Sequence, residues 1–305
     1  MLGYALRAYP TCDTHLSVHI WLMDTVSTAD ELRRMVRDWH RQDERVAFVP
    51  TMGNLHDGHL QLVRHAQSIA DRVVVSIFVN PTQFGPNEDY ASYPRTLAED
   101  TQALAEADAD LLFTPAVEAM YPPDLAEAPS VEVPGLGDIL CGAFRPGHFS
   151  GVATVVAKLF SLVQPDIAVF GEKDYQQLVV IRRMSRALCL PVAIEGMPTV
   201  REASGLAMSS RNRYLDAAQR ETAATLYRVL GEVGRALQGR AVDYPALEAG
   251  AMTKLGEAGF RPEYVSIRRA ADLAEPGPGD SRLRVLAAAW LGPARLIDNI
   301  GISIS

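Results

Sequence analysis

The chain has 305 residues, 29 basic and 37 acidic side chains, a net charge of −8 with histidine neutral, 48% hydrophobic and 22% charged residues. That composition suits a globular chain able to bury a core and excludes collagen-like, coiled-coil and disordered classes. No apolar run approaches the roughly 18–20 residues of a membrane helix, and the acidic balance argues against broad binding to nucleic-acid phosphates.

The length suggests two domains or one large one. Three cysteines, Cys12, Cys141 and Cys189, stand far apart, which excludes a disulfide framework and a cysteine zinc ribbon and points to a reducing compartment. Residues 1–22 lack an apolar core of signal-peptide type and lack periodicity. They read as a disordered extension, with Met23 standing where a second start would fall.

From there the pattern is regular. Thr28-Ala-Asp-Glu31 is a capping-box sequence opening a helix through Leu32, Met35, Val36 and Trp39. A strand over Arg45–Val49 is expected to end at Pro50. A loop and a helix through Leu60, Val63 and Ala66 follow, then a strand over Val73–Val79. Thr96-Leu-Ala-Glu99 reads as a second capping box, with Leu97, Thr101 and Leu104 on one face of the helix. Further strands are expected at Leu111–Phe113, Ile167–Phe170 and Val192–Glu195. Helices are expected through Val152–Val163 and over Tyr175–Leu188, and Pro122–Pro146 reads as an irregular excursion. Strands alternating with helices predict a doubly wound parallel α/β sheet over residues 23–198. Over 199–305, helices at Asp216–Leu237 and Tyr244–Ala258 and strands at Glu263–Arg268 and Arg282–Trp290 predict a smaller α+β domain covering the site.

The stretch Val49-Pro-Thr-Met-Gly-Asn-Leu-His-Asp-Gly-His-Leu60 joins the first strand of the predicted sheet to a helix, where doubly wound folds bind ligands. His56 and His59 would flank a helix start whose free N–H groups favour an anion, and imidazole donors there could stabilise charge on a phosphate. As a metal pair they lack a third ligand at sensible spacing. Gly171-Glu-Lys-Asp174 follows another strand and offers Lys173 to phosphate oxygens. Met208-Ser-Ser-Arg211 adds two hydroxyls and a guanidinium suited to a polyphosphate. Each element alone could be a solvated turn; three on one scaffold favour a nucleotide site. No Gly-x4-Gly-Lys-Ser/Thr loop, Gly-x-Ser-x-Gly elbow or complete dinucleotide fingerprint occurs; Gly135-Leu-Gly137 lacks its third glycine at Leu140. Catalysis by positioning and electrostatics is therefore expected rather than a covalent intermediate.

Pro50–His59, Ser76-Ile-Phe-Val-Asn-Pro-Thr-Gln-Phe84, Arg145-Pro-Gly-His-Phe149, Phe170-Gly-Glu-Lys-Asp-Tyr-Gln-Gln177 and Leu206-Ala-Met-Ser-Ser-Arg-Asn212 together resemble the pantoate–β-alanine ligase family from about Met23 to Asn299. The resemblance implies a nucleotidyltransferase variant of the Rossmann fold and an AMP-forming ligase. Such an enzyme joins pantoate to β-alanine with ATP and Mg²⁺ through pantoyl adenylate, as a cytoplasmic homodimer. Carried over by position, Met52, Gly53, Asn54, Leu55, His56, Asp57, Gly58 and His59 line the ATP site with Gly171, Glu172, Lys173, Asp174, Val200, Met208, Ser209, Ser210 and Arg211. Val200 meets the adenine through its backbone.

Gln83 and Gln177 would bind pantoate, with Gln83 bordering β-alanine, while Asn80 and Arg145 are further candidates. His59, assisted by His56, is a proton donor in that family. A carboxylate attacking phosphorus needs no proton moved onto it, so both histidines, with Lys173, are read here as charge stabilisers. No side chain is assigned to Mg²⁺. Thr82, Cys141 and Ser204 stand where Met, Glu and Asp are usual, which bears on the pantoate pocket and the Mg²⁺ surroundings. The alternatives are an adenylyltransferase acting on another small carboxylate or phosphate substrate, a tRNA-charging enzyme and an inactive binding protein. The first should lack the glutamine pair and the second needs a basic RNA-binding region. The last is disfavoured by the intact charged set.

Overall fold

The computed structural model describes residues 23–86, 88–123, 129–239 and 242–304; the expected extension over residues 1–22 lies outside them. Six strands form one parallel sheet: β1 (Asp24–Val26), β2 (Val46–Thr51), β3 (Arg72–Ile77), β4 (Leu111–Phe113), β5 (Ile167–Gly171) and β6 (Ala193–Met197). Their spatial order is β1-β4-β3-β2-β5-β6, so the winding reverses between β2 and β5. The doubly wound expectation is borne out, and the reversal opens a crevice at the carboxyl ends of those two strands.

The helices cover both faces because the central strands are apolar on both sides, with Val46–Val49 and Val73–Val75 buried. On one face α1 (Ala29–His40), α6 (His148–Val163) and α7 (Tyr175–Ala187) share a core with Phe48, Val74, Phe113 and Phe170. On the other, α2 (Asp57–Gln67) and α3 (Leu97–Glu106) pack Leu62, Val63 and Leu104 against Ala47, Val49, Val75 and Val169. The capping box at Thr28 forms, with Thr28 Oγ1 accepting from the Glu31 N–H. Among the described residues, the irregular stretch after β4 holds two single-turn helices, α4 (Val117–Met120) and α5 (Cys141–Phe144).

Beyond β6 the chain forms α8 (Ala217–Ala223), α9 (Thr225–Ala236) and α10 (Tyr244–Glu257). An antiparallel sheet β7-β8-β9 follows, of Arg261–Arg269, Arg282–Leu291 and Ala294–Ser303. It has its own core around Leu226, Leu230, Val265, Val285 and Leu296.

Several expectations are corrected. Pro50 does not end β2, whose pairing with β3 continues to Thr51↔Ile77; β5 pairs only with Ala47 and Phe48, so Pro50 sits where one flank is already unpaired. The Thr96 box does not form: Thr96 makes no side-chain cap, Leu97 is 49% exposed, and Asp100 is buried instead. The single helix expected over Asp216–Leu237 is two helices meeting at Ala224, with no glycine or proline at the break. Strands β1 and β9 are absent from the expected set. β1 has only three residues, and the buried pair Asp298–Asn299 interrupts the apolar pattern of β9.

Candidate active site

The loop after β2 carries the first group of site residues. Gly53 and Asn54 both adopt the left-handed conformation (φ 77° and 53°). A Cβ on Gly53 would lie 2.9 Å from Asp100 Oδ2, so only glycine fits. Asp100, from α3, holds the loop from inside: its two carboxylate oxygens accept the Asn54 and Leu55 N–H groups, both at 2.8 Å. Ser210 Oγ donates to the Asn54 carbonyl at 3.1 Å, tying this loop to the later Ser-Ser-Arg turn.

His56 is the N-cap of α2 and His59 its third residue. The Gly58 N–H donates to His56 Nδ1 at 3.1 Å, and the His56 N–H donates to His59 Nδ1 at 3.3 Å. Both Nδ1 atoms are therefore acceptors, so each neutral ring carries its proton on Nε2. The rings face one another with centroids 4.1 Å apart. Burial, with Lys173 nearby, pushes His56 down to about 4. Burial, with His56 and Lys173 beside it, pushes His59 down to about 3. At neutral pH the pair presents two N–H donors and no charge.

Lys173 follows β5 in a 3₁₀ turn over Glu172–Asp174. Its side chain is 18% exposed and lies 3.8 Å from Asp174 Oδ2. The turn is held by the second sheet: Asn299 Nδ2 donates to the Glu172 and Lys173 carbonyls, each at 2.9 Å, and Arg284 reaches Glu172 at 2.7 Å. Arg211 lies 3.7 Å from Asp89. Arg201 forms a two-pronged pair with buried Asp298 of β9, so the polar residues that break the β9 pattern are those tying it to the segments that follow β5 and β6.

Gln83 closes a 3₁₀ turn, Pro81–Gln83, after β3. Its amide is buried; Oε1 accepts from Asn80 Nδ2 at 3.1 Å and Nε2 donates to Met52 Sδ at 2.8 Å. One further N–H and one further lone pair remain for a ligand. Gln177 lies on the first turn of α7 and lines the crevice.

These elements enclose a cavity of about 240 Å³, lined by Met52, His56, Gly58, His59, Gln83, Gly171, Lys173, Asp174, Gln177, Val200 and Met208–Arg211. It adjoins a wider cleft of about 890 Å³ between the two sheets, which shares Lys173, Asp174, Gln177, Ser209 and Arg211 and adds Glu263, Tyr264, Trp290 and Arg295. Gly53, Asn54, Leu55, Asp57 and Glu172 are not on these walls. The first three build the loop, Asp57 is exposed at the helix start, and Glu172 turns to Arg284. The Val200 carbonyl accepts from the Met208 N–H at 3.0 Å. Sequence reasoning missed Asp100, Asn299 and His148, whose roles depend on partners 46 to 127 residues away.

Residues 24–301 match the family model described as Pantoate-beta-alanine ligase. The chain is 55% identical over 282 residues to a pantothenate synthetase of Pseudomonas aeruginosa, covering 92% of this chain and all of that one. It is 56% identical to that of Methylococcus capsulatus, with 92% and 99% coverage. Among solved structures, the pantothenate synthetase of Thermus thermophilus superposes with a TM-score of 0.84 at 48% identity, covering 91% of this chain and 99% of that one. The pantoate-β-alanine ligase of Francisella tularensis, complexed with β-γ ATP and β-alanine, superposes with 0.76 at 35% identity, covering 91% and 97%. With sequence, family model and fold in agreement over nine-tenths of its length, the chain belongs to the pantoate–β-alanine ligase family.

Proposed function

We infer that this chain condenses pantoate with β-alanine to give pantothenate, using ATP and releasing AMP and pyrophosphate. The observation that carries the reading is the meeting, in one crevice, of two neutral histidine donors, Lys173, the Ser209–Arg211 turn and the amides of Gln83 and Gln177. The first group suits a triphosphate; the amides suit a hydroxy acid, because they satisfy hydroxyl and carboxylate without adding charge. The division near residue 198 is part of the reading: residues 23–198 bind nucleotide and pantoate, and 199–305 cover them.

In the first step a pantoate carboxylate oxygen bonds to the α-phosphorus and the bond to pyrophosphate breaks. In the second, the β-alanine amine attacks the acyl carbon, loses a proton, and AMP departs. His56 and His59 donate from Nε2 to phosphate oxygens whose charge grows in the first transition state, and Lys173 adds a cation. Gln83 and Gln177 hold pantoate in line, with Gln83 bordering β-alanine, and Val200 meets the adenine through its backbone. Mg²⁺ carried on the triphosphate would neutralise phosphate charge. Such an ion needs one or two protein carboxylates beside phosphate and water oxygens, and Asp174 and Asp89 on the cleft wall have that chemistry. A cytoplasmic homodimer belongs to the same reading, supported by the family resemblance.

Oxygen transfer tests the reading. Pantoate labelled with ¹⁸O in its carboxylate should pass label to AMP and none to pyrophosphate. Label in inorganic phosphate, with ADP as product, would eliminate the adenylate route.

A further inference from the structure

The turn that carries Gln83 is gripped twice. One grip is on its side chain, from Asn80 and Met52. The other is on its main chain and comes from Arg145 and His148 of the Arg145–Phe149 motif, which also line the crevice. His148, the first residue of α6, places Nδ1 2.8 Å from the Gln83 carbonyl oxygen. Arg145 Nη1 lies 3.0 Å from His148 Nε2. Arg145 Nη2 also reaches the Gln83 carbonyl at 3.3 Å, and its Nε donates to Glu88 Oε1 at 2.7 Å.

An arginine can only donate, so His148 Nε2 is an acceptor and the ring proton sits on Nδ1, aimed at the carbonyl. Arg145 therefore donates both to the Glu88 carboxylate and to His148 Nε2, and the second bond leaves Nδ1–H of His148 to donate to the Gln83 carbonyl. Burial, with Arg145 alongside, pushes His148 down to about 4, which keeps the ring neutral and these bonds intact at neutral pH.

The backbone leaves no slack around this grip. Gly151, one turn along α6, lies against the same turn: a Cβ there would stand 2.3 Å from the Thr82 carbonyl oxygen. The Gly151 carbonyl accepts from Asn80 Nδ2 at 3.2 Å. The first turn of α6 is thus a platform on which the Gln83 turn rests, and His148 is the side chain that pins it.

We propose that His148 is a positioning residue for the acid substrate: held by the Glu88–Arg145 pair, it fixes the Gln83 main chain and so aims the Gln83 amide into the crevice. The proposal rests on the reading of Gln83 as a pantoate ligand. His148 acts through Gln83, because its two ring nitrogens are engaged by Arg145 and the Gln83 carbonyl. A misaimed amide weakens a bond to one substrate and leaves the nucleotide side of the crevice as it was.

The test is a double-mutant cycle read in steady-state kinetics. His148→Leu should raise KM for pantoate by about tenfold, the usual effect of loosening one buried polar contact, with KM for ATP within about twofold. His148→Asn, whose amide N–H stands near the place of Nδ1–H, should restore most of the loss. In a Gln83→Ala background the His148→Leu change should add nothing, since no amide is left to aim. Glu88→Gln, which removes the counter-ion of Arg145 without entering the core, should move KM for pantoate in the same direction by a smaller factor and serves if His148→Leu does not fold. An unchanged pantoate KM in His148→Leu and Glu88→Gln, or a full additional loss on top of Gln83→Ala, would overturn the proposal while leaving Gln83 a ligand. An unchanged pantoate KM in Gln83→Ala would remove the reading of Gln83 itself, and the proposal with it.

Discussion

In the proposed reading, His56 and His59 would serve a highly charged ligand without charge of their own. Their Nδ1 atoms are committed to backbone N–H groups and burial disfavours protonation, so each offers one oriented Nε2–H. Oriented donors cost little reorganisation when charge grows on a phosphate. His59→Ala should lower the rate of adenylation by about 10²–10³ with little change in unfolding midpoint, measured by single-turnover formation of pyrophosphate. A near wild-type rate would assign His59 to packing. Gln177 is a contrasting case, since it faces the crevice from α7 and has no charge to offer a triphosphate. Gln177→Ala should raise KM for pantoate much more than KM for ATP, at a cost of about 1–3 kcal/mol for a lost bond to a buried polar ligand. Equal effects on both substrates would point to a structural role.

At the scale of elements, α3 illustrates what the chain discloses and what it hides. The His-x-Gly-His loop, the Gly-Glu-Lys-Asp turn and the Met-Ser-Ser-Arg turn are legible because each is a contiguous cluster of polar residues, the first two following strands β2 and β5. Thr96-Leu-Ala-Glu99 looks like a capping box because local spacing is all that a sequence displays. In the structure Asp100 is drawn inward by two loop N–H groups some 45 residues earlier, and the Thr96 hydroxyl donates to it at 3.1 Å instead of capping. Long-range satisfaction of buried donors outweighs a local cap of about 1 kcal/mol. The same logic hides β9, where Asp298 and Asn299 interrupt the apolar alternation in order to hold Arg201 and the Lys173 turn. Asp100→Asn keeps the shape but turns an acceptor into a donor facing backbone N–H. It should destabilise the fold by about 1–3 kcal/mol and slow adenylation, because the loop that aims His56 loses its anchor. Denaturant unfolding and single-turnover kinetics on the same sample would check both; a variant with wild-type stability and rate would show that the loop holds its shape unaided.

At the scale of the whole molecule, three histidines buried in the neutral state make stability depend on pH in a defined direction. His56, His59 and His148 have their protonation pushed from the ordinary value of 6.5 to about 4, 3 and 4 respectively, in each case chiefly by burial. In the unfolded chain they take up protons near pH 6.5. Between pH 6.5 and about 4 the unfolded chain therefore binds protons that the folded chain refuses, and stability falls as pH falls. The contribution is fully present above the unfolded value and is lost as pH drops through that window. Each fully buried group contributes at most about 1.4 kcal/mol per pH unit, and partial exposure reduces that figure. Unfolding free energies measured from about pH 7.5 to about pH 4.5, a span that brackets the unfolded histidine value, should decline more steeply for the wild type than for His59→Asn, which cannot titrate. If the two declined in parallel, His59 would be accepting its proton in the folded state, and the pair would be a cationic site instead of two neutral donors.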